Sequence, residues 1–258
     1  MCCIETEDTM NIGKQLRINL FYRHDKYHTM IVPLDHGMTM GPIPGIDMIR
    51  NMISILSRHS IDGIILHKGL ITSCADTLQH LDIPIVMHLS ARTNLSSSYK
   101  EVLVASVKEA VSYGCSAVSV QINFGHEEEG EMLKDVAQVS KKCYQFGIPL
   151  LIMAYASNYS VPIAKHLARI SAELGGDFVK LPYTDIGGDF REVIEGCTIP
   201  VLIAGGEKAT DISHFIQILK YALKIGIGGV SIGRNLFQNK NVDEFLEKLL
   251  SIIRNEIR

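Results

Sequence analysis

The feature that most constrains the fold is a regular alternation of short and long apolar patterns along the 258-residue chain. The short runs are rich in β-branched residues, and the longer stretches place apolar residues every three or four positions, which predicts parallel βα units. Eight units favour closure into a single α/β (β/α)8 TIM barrel, although a doubly wound open sheet would show the same alternation. The eight predicted strands are residues 30–35, 62–67, 83–89, 116–122, 149–155, 176–181, 199–204 and 229–233.

Helices are predicted between these strands, and several end where a glycine follows the last apolar residue, as after Phe146 and Ile225. Glycine suits the left-handed backbone conformation that often ends a helix. No long linker or low-complexity segment divides the chain, so we predict one domain over residues 1–258, with residues 1–28 as a lead segment. The clearest helical patterns cover residues 99–113, 127–146, 161–174, 211–225 and 242–257.

Composition limits the classes of partner. The formal net charge is -3 and no basic cluster occurs, which argues against a nucleic-acid or anionic-membrane partner. The six cysteines show no C-x-x-C spacing, as expected for reduced thiols rather than a disulfide framework or zinc site. No run approaches the roughly 18 apolar residues of a membrane span. We therefore predict a cytoplasmic protein, for which small anionic ligands remain open because one or two local cations suffice to bind them.

Most of the predicted strands end in side chains with useful chemistry, and the carboxyl ends of barrel strands are where active sites form. Lys180 ends an apolar strand, where partial desolvation favours the uncharged amine that attacks carbonyl groups. Lys68 ends another strand in a similar way, and spacing alone does not separate the two. Tyr155 ends the strand before that of Lys180 and is a candidate for proton transfer. Asp35 is the acidic candidate at the end of the first strand.

Two glycine turns follow the last two predicted strands and predict a phosphate site. Gly205 and Gly206 end one strand, and Gly233 with Arg234 ends the next. Glycine lets the backbone approach a phosphate closely, and arginine adds a charge-assisted contact. Tight βα turns alone would also explain these glycines, but loops after strands 7 and 8 commonly bind phosphate in such barrels.

The residues after Asp35 extend the predicted mouth of the barrel. His36 and Gly37 are expected to contact substrate there. His36, His67 and His88 follow strands 1 to 3, so a metal-dependent aldolase is an alternative, yet no H-x-H or H-E-x-x-H pair supports it. We predict no metal and no cofactor.

Several segments occur in a fixed order between about residues 12 and 250: Val32-Pro33-Leu34-Asp35-His36-Gly37 with Gly41-Pro42, Leu66-His67-Lys68-Gly69, Asp177-Phe178-Val179-Lys180 with Tyr183-Thr184, Ala204-Gly205-Gly206 with Lys208, and Gly233-Arg234-Asn235-Leu236-Phe237-Gln238. This set resembles the archaeal-type class I aldolase family, which includes fructose-bisphosphate aldolase and 2-amino-3,7-dideoxy-D-threo-hept-6-ulosonate (ADH) synthase. The first segment, with its Gly-Pro-Ile-x-Gly-Ile continuation, looks more like the ADH synthase branch.

The resemblance implies a role for each candidate residue. Lys180 would be the Schiff-base lysine, which resolves the choice against Lys68, while Tyr155 would be the general acid/base and Asp35 the assisting carboxylate. Phosphate binding would fall to the two glycine turns and Arg234. Two departures from the family pattern stand near the expected acceptor side: Ala156-Ser157-Asn158 replaces Pro-Arg-Gly, and Ala91-Arg92-Thr93 replaces Gly-Gly-Thr.

The expected substrates are a phosphorylated carbonyl compound and an aldehyde acceptor. In the ADH synthase type, 6-deoxy-5-ketofructose 1-phosphate reacts with L-aspartate semialdehyde; a relative that condenses dihydroxyacetone phosphate with the same aldehyde is a further alternative, as is fructose-bisphosphate cleavage. The autoinducer-2 phosphate thiolase branch ranks lower. A non-catalytic sugar-phosphate-binding barrel is the alternative from another class. The resemblance also implies a homo-oligomer.

Overall fold

Eight parallel strands close into a barrel in the computed structural model, which describes residues 11–255. Around the barrel the strands follow the order β1-β10-β9-β8-β7-β6-β3-β2, so the predicted TIM barrel is confirmed and the open sheet is wrong. Two very short strands, β4 and β5, form a separate antiparallel pair. The strands are β1 (Thr29–Pro33), β2 (Gly63–Leu66), β3 (Ile85–His88), β4 (Ser90–Ala91), β5 (Val102–Leu103), β6 (Ala117–Phe124), β7 (Leu150–Ala156), β8 (Phe178–Pro182), β9 (Val201–Ala204) and β10 (Gly229–Ser231).

Helices follow the barrel strands and pack outside them, and none within residues 11–255 is both long and apolar enough to cross a membrane. The domain prediction also covers residues 1–10 and 256–258, which lie outside the described residues. The helices are α1 (Ile12–Leu20), α2 (His36–Met40), α3 (Ile49–Leu56), α4 (Lys68–Ser73), α5 (Ala75–Leu78), α6 (Val107–Ser112), α7 (Glu129–Phe146), α8 (Val161–Glu173), α9 (Arg191–Glu195), α10 (Ile212–Lys224), α11 (Arg234–Phe237) and α12 (Val242–Asn255).

Local signals set several helix ends. Gly147 ends α7 with φ of 59°, as its position after the apolar run predicts. Asp211 accepts hydrogen bonds from the first backbone N–H groups of α10. The helix predicted from residue 99 begins only at Val107, because Ser106 and Glu109 form a capping box there. Residues upstream of that box instead supply β5, which pairs with β4.

The barrel has its own apolar interior, separate from the core between strands and helices. It contains Phe21, Ile31, Ile65, Val86, Ala117, Leu151, Met153, Phe178 and Leu202. Phe21 follows α1 and packs edge-on against Phe178 at the start of β8, with ring centroids 5.9 Å apart. The amino-terminal end of the barrel is therefore filled by apolar side chains.

Strand alternation carries this interior face toward the other end of the barrel. Successive side chains of a strand point to opposite faces, so residues two or four positions beyond an inward-facing residue also point inward. Ile65 is followed in this way by His67, Val86 by His88, and Phe178 by Lys180. The interior thus changes from apolar to polar toward the carboxyl ends of the strands, where a site can form.

Candidate active site

A cavity of about 370 Å³ opens at the carboxyl end of the barrel and brings five of the predicted residues together. Its lining combines candidates for covalent, acid–base and anion-binding roles, drawn from four different barrel strands or the loops that follow them. The predicted residues in it are Asp35, His36, Tyr155, Lys180 and Arg234.

Lys180 is the third residue of β8 and is only 6% exposed. Its Nζ lies 3.9 Å from Met153 Sδ, and no ion pair joins it to a carboxylate among residues 11–255. Met153 is its register partner on β7. A lysine amine in this setting is withdrawn from water and free of a fixed carboxylate partner, which suits nucleophilic chemistry.

Lys68 lies on the other side of the barrel wall. Its Nζ is 2.9 Å from Glu109 Oε1, at a position where both side chains are roughly two-fifths exposed. The strand alternation accounts for this difference, because His67 faces inward and the next residue must face outward. The two lysines therefore differ in the structure: Lys180 lines the main cavity, whereas Lys68 pairs with Glu109 outside it.

Tyr155 lies on β7 beyond Met153, on the same face of the strand, and lines the cavity with Lys180. Its register partner on the neighbouring strand is Asn123, whose side-chain amide donates to the Tyr99 carbonyl. Ala156 and Ser157 also line the cavity, so this departure from the family pattern does lie beside the site.

Asp35 lies between two histidines at the start of α2. Its Oδ2 is 3.9 Å from His88 Nε2, and its Oδ1 is 3.6 Å from His36 Nδ1. Burial acts to raise the pKa of Asp35, but attraction to the protonated forms of His88, His36 and Lys180 outweighs it and lowers the pKa below its usual range. Asp35 is therefore a carboxylate at neutral pH.

The histidine beside it is held neutral. Burial lowers the pKa of His88 to about 4, against the opposing effect of Asp35. Its Nδ1 lies 2.8 Å from Ser119 Oγ, which fixes the ring. The His67 ring lies edge-on to that of His88 at 5.1 Å, and burial lowers the pKa of His67 as well. Within residues 11–255, no three His, Cys, Asp or Glu side chains are arranged to hold a metal ion.

The two glycine turns meet at the ends of β9 and β10, but they play unequal parts. The Gly205 N–H donates to the Ser231 carbonyl at 3.0 Å and is thus already used. Gly206 has φ of 71°, a conformation that favours glycine. Both line a neighbouring cavity of about 180 Å³ rather than the main one. A Cβ on Gly233 would lie 2.7 Å from His36 Cε1, so this glycine makes room for the histidine.

Arg234 has one unsatisfied group at the cavity. Its Nε is buried without a hydrogen-bond partner, while its Nη1 lies 3.5 Å from Oε1 of the exposed Glu207. The side chain is about a quarter exposed and lines the cavity, and a guanidinium in a cavity wall is suited to an anionic ligand. Gly37 lies apart from this group and lines a mostly apolar cavity beside Leu34 and Met38.

Asn235 fastens the loop after β9 to the start of α11, a role that spacing in the sequence does not show. The side chain is 2% exposed. Its Nδ2 donates to the carbonyls of Gly205 and Glu207 at 2.6 and 2.8 Å, and its Oδ1 accepts from Ala209 N at 2.7 Å. The positions of both glycine turns therefore depend on one amide.

Replacing Asn235 with alanine is expected to destabilise the protein by roughly 2 to 4 kcal/mol, since three buried hydrogen bonds are lost. Urea unfolding measures the change. The control is Asn239→Ala, which removes one exposed bond to Asn241 N and should change stability by less than about 1 kcal/mol. Equal unfolding midpoints for the two variants would show that the amide does not hold the loop.

Two further cavity residues, Glu101 and Arg92, were not among the predicted site residues. Glu101 is 4% exposed, and its Oε1 lies 3.4 Å from Arg92 Nε. The Arg92 guanidinium also lies over the Tyr99 ring, 5.4 Å from its centroid. Glu101 falls inside the segment predicted as helix from residue 99. The capping box at Ser106 was the available signal that this residue precedes the helix.

The chain matches the family model described as DeoC/LacD family aldolase over residues 29–239. It is 32% identical to 2-amino-4,5-dihydroxy-6-oxo-7-(phosphonooxy)heptanoate synthase of Streptomyces griseus, over 94% of this chain and 91% of the relative. It is 33% identical to 2-amino-3,7-dideoxy-D-threo-hept-6-ulosonate synthase 1 of Archaeoglobus fulgidus, over 95% and 93%.

Comparison with solved structures also identifies aldolases as similar proteins. A crystal structure of an archaeal fructose 1,6-bisphosphate aldolase superposes with a TM-score of 0.83 at 25% identity, covering 94% of this chain and 99% of that one. A Schiff-base-forming fructose-1,6-bisphosphate aldolase superposes with a TM-score of 0.81 at 26% identity, over 93% and 99%. The chain therefore belongs to the DeoC/LacD aldolase family and is a class I, Schiff-base-forming aldolase.

Proposed function

We propose that Lys180 is the Schiff-base lysine and that the enzyme joins a three-carbon ketone unit to an amino-acid aldehyde. The observation that carries this proposal is the buried Lys180 amine, which has no carboxylate partner among the described residues and shares a cavity with Tyr155, Asp35 and Arg234. A neutral amine there can attack a ketone carbon to give a carbinolamine, and loss of water then gives an iminium ion.

Tyr155 and Asp35 move protons in the steps that follow. The iminium draws electrons either from the neighbouring C–C bond, which releases the rest of a ketose donor as an aldehyde, or from a C–H bond, whose proton is taken by a base. The enamine carbon that results then attacks the acceptor aldehyde. Tyr155, on the strand next to Lys180, is suited to donate a proton to the new alkoxide and to accept one during cleavage. Asp35 is suited to assist the loss of water from the carbinolamine. Hydrolysis of the final iminium releases the product and restores the amine.

The phosphate of the donor would bind on the β9–β10 side of the mouth. Arg234 lines the cavity with a partly exposed, positively charged side chain, and the glycine turns with Gly206 and Gly233 allow close approach of backbone. His36 lies between this group and Asp35. Gly205 would contribute by shape, since its N–H donates to the barrel ladder, and a substrate contact for Gly37 is still a prediction.

Replacing Arg234 with glutamine is expected to raise KM for a phosphorylated donor by about 10- to 100-fold, because a charge-assisted contact to phosphate is lost. Steady-state kinetics with saturating acceptor measure the change. Arg58→Gln is the matched control, since Arg58 is exposed, bonds Asp243 and does not line the cavity. An unchanged KM for the Arg234 variant would show that the phosphate binds at another position.

The names of two relatives support an amino-acid aldehyde as acceptor. Each describes a seven-carbon amino acid with its keto group at carbon 6. Disconnecting the bond between carbons 4 and 5, as an aldol reaction would form it, leaves a three-carbon ketone unit and a four-carbon amino aldehyde. That aldehyde is L-aspartate semialdehyde. The ketone unit would come from dihydroxyacetone phosphate or from 6-deoxy-5-ketofructose 1-phosphate.

Fructose-bisphosphate cleavage is the second candidate, and the structural similarity to archaeal fructose 1,6-bisphosphate aldolase favours it. One experiment separates the two. The enzyme is incubated with each ketone donor and L-aspartate semialdehyde, and separately with fructose 1,6-bisphosphate, and products are identified by mass spectrometry. A seven-carbon amino keto acid from either donor would support the proposal. Cleavage of the bisphosphate without that product would favour the second candidate.

A further inference from the structure

Arg92 and Glu101 form a charged pair on the side of the mouth away from Arg234. Arg92 directly follows β4, just beyond β3, whereas Arg234 follows β10. In the closed strand order, β3 and β10 are three steps apart through β2 and β1, and five steps apart through β6, β7, β8 and β9. Lys180 and Tyr155 lie on the longer of these arcs. A linear ligand that reacts at Lys180 can therefore extend from Arg234 at one end to this pair at the other.

Arg92 has an unsatisfied donor, and both members of the pair line the cavity. The Arg92 Nε is buried without a hydrogen bond of good geometry, although Glu101 Oε1 is 3.4 Å away. Burial raises the pKa of Glu101 to about 7, even though Arg92 and hydrogen bonds with Asn123 and Ser90 act to lower it. A buried carboxylate is stabilised further when a second cation reaches it. The pair can therefore bind a ligand that carries both a negative and a positive charge.

We propose that Arg92 and Glu101 bind the charged head of an amino-acid aldehyde acceptor, Arg92 taking the α-carboxylate and Glu101 the α-ammonium. This assignment rests on the proposed function. A guanidinium offers parallel N–H donors that match a carboxylate, and a buried carboxylate accepts from an ammonium. The aldehyde at the other end of the acceptor then faces the enamine on Lys180.

The same pair disfavours a phosphorylated acceptor. A phosphate dianion beside Arg92 would also stand beside Glu101, and like charges repel strongly in a buried site. Arg234 differs in this respect, because its neighbouring carboxylate, Glu207, is 90% exposed and screened by water. The two arginines are thus suited to different anions: Arg234 to phosphate and Arg92 to a carboxylate with an ammonium beside it.

The test compares acceptors that differ by one charged group. Wild type, Glu101→Gln and Arg92→Gln are assayed with L-aspartate semialdehyde, with succinate semialdehyde, which lacks the ammonium, and with D-glyceraldehyde 3-phosphate. For Glu101→Gln we expect kcat/KM to fall about 10- to 100-fold with L-aspartate semialdehyde and less than about 3-fold with succinate semialdehyde. For the same variant, kcat/KM with D-glyceraldehyde 3-phosphate should stay unchanged or rise. For Arg92→Gln, kcat/KM should fall about 10-fold or more with both semialdehydes.

Controls separate this inference from the proposed function. Glu131→Gln makes the same change at an exposed position of α7, outside the cavity. It should leave kcat/KM unchanged with all three acceptors. Borohydride trapping of dihydroxyacetone phosphate reports the donor step alone and should be normal in both pair variants. If trapping is normal but kcat/KM falls equally with every acceptor, the pair does not recognise the charged head of the acceptor. Absence of any adduct in wild type would overturn the aldolase assignment and the role of the pair with it.

Discussion

Replacing Lys180 with methionine should reduce aldol turnover by about 10⁴-fold or more, because the covalent intermediate can no longer form. Methionine keeps an unbranched side chain of similar length at a 6% exposed position, so the barrel should stay folded. Turnover is measured by coupled assay at saturating donor and acceptor, with circular dichroism as the check on folding.

Lys68 provides the matched control for that variant. It too follows a barrel strand, but its amine faces outward and pairs with Glu109 on the protein surface. Lys68→Met should therefore keep turnover within about 2-fold of wild type, since surface ion pairs contribute little. Full activity in the Lys180 variant, or a large loss in the Lys68 variant alone, would mean that the wrong lysine has been assigned.

Replacing Tyr155 with phenylalanine should lower turnover by about 10²- to 10³-fold, because the phenol that transfers protons is lost while the ring remains. The iminium should still form, since the Lys180 amine is intact. Two measurements separate these steps. In the variant, deuterium exchange from solvent into the donor should slow by about as much as turnover does. Borohydride trapping should still yield an adduct.

Tyr159→Phe removes a phenol from the same region without touching the proposed proton path. The Tyr159 hydroxyl donates to the Pro182 carbonyl at 2.9 Å and does not line the main cavity. This variant should lose about 1 kcal/mol of stability and little activity. Equal losses of turnover in the two tyrosine variants would indicate that Tyr155 supports packing rather than proton transfer.

The barrel could be predicted from the sequence because its strands are short apolar runs bounded by strong turn signals. The helix end at Gly147 is local as well and is confirmed, and the helix predicted over residues 211–225 begins with Asp211 as its N-cap. Parity along a strand also sets which way neighbouring residues face: because Ile65 points inside the barrel, His67 faces the cavity and Lys68 faces outward. The same rule would have separated the two lysines without any family resemblance.

The Arg92–Glu101 side of the site could not be predicted, because it depends on contacts between distant segments. Glu101 is held beside Arg92 by the antiparallel pairing of β4 with β5, eleven or more residues along the chain. The apolar spacing around residues 99–113 fits a helix, and tertiary pairing overrides it. Likewise, the bond from Gly205 N–H to Ser231 appears only when β9 and β10 lie side by side.

The most direct test of the central claim is borohydride reduction of the wild-type enzyme in the presence of dihydroxyacetone phosphate, followed by intact-mass analysis and peptide mapping. 6-Deoxy-5-ketofructose 1-phosphate is run in parallel. We expect a single stable adduct on the peptide that contains Lys180, absent from Lys180→Met and retained in Lys68→Met. An adduct on another lysine, or no adduct from an enzyme that turns over, would contradict it.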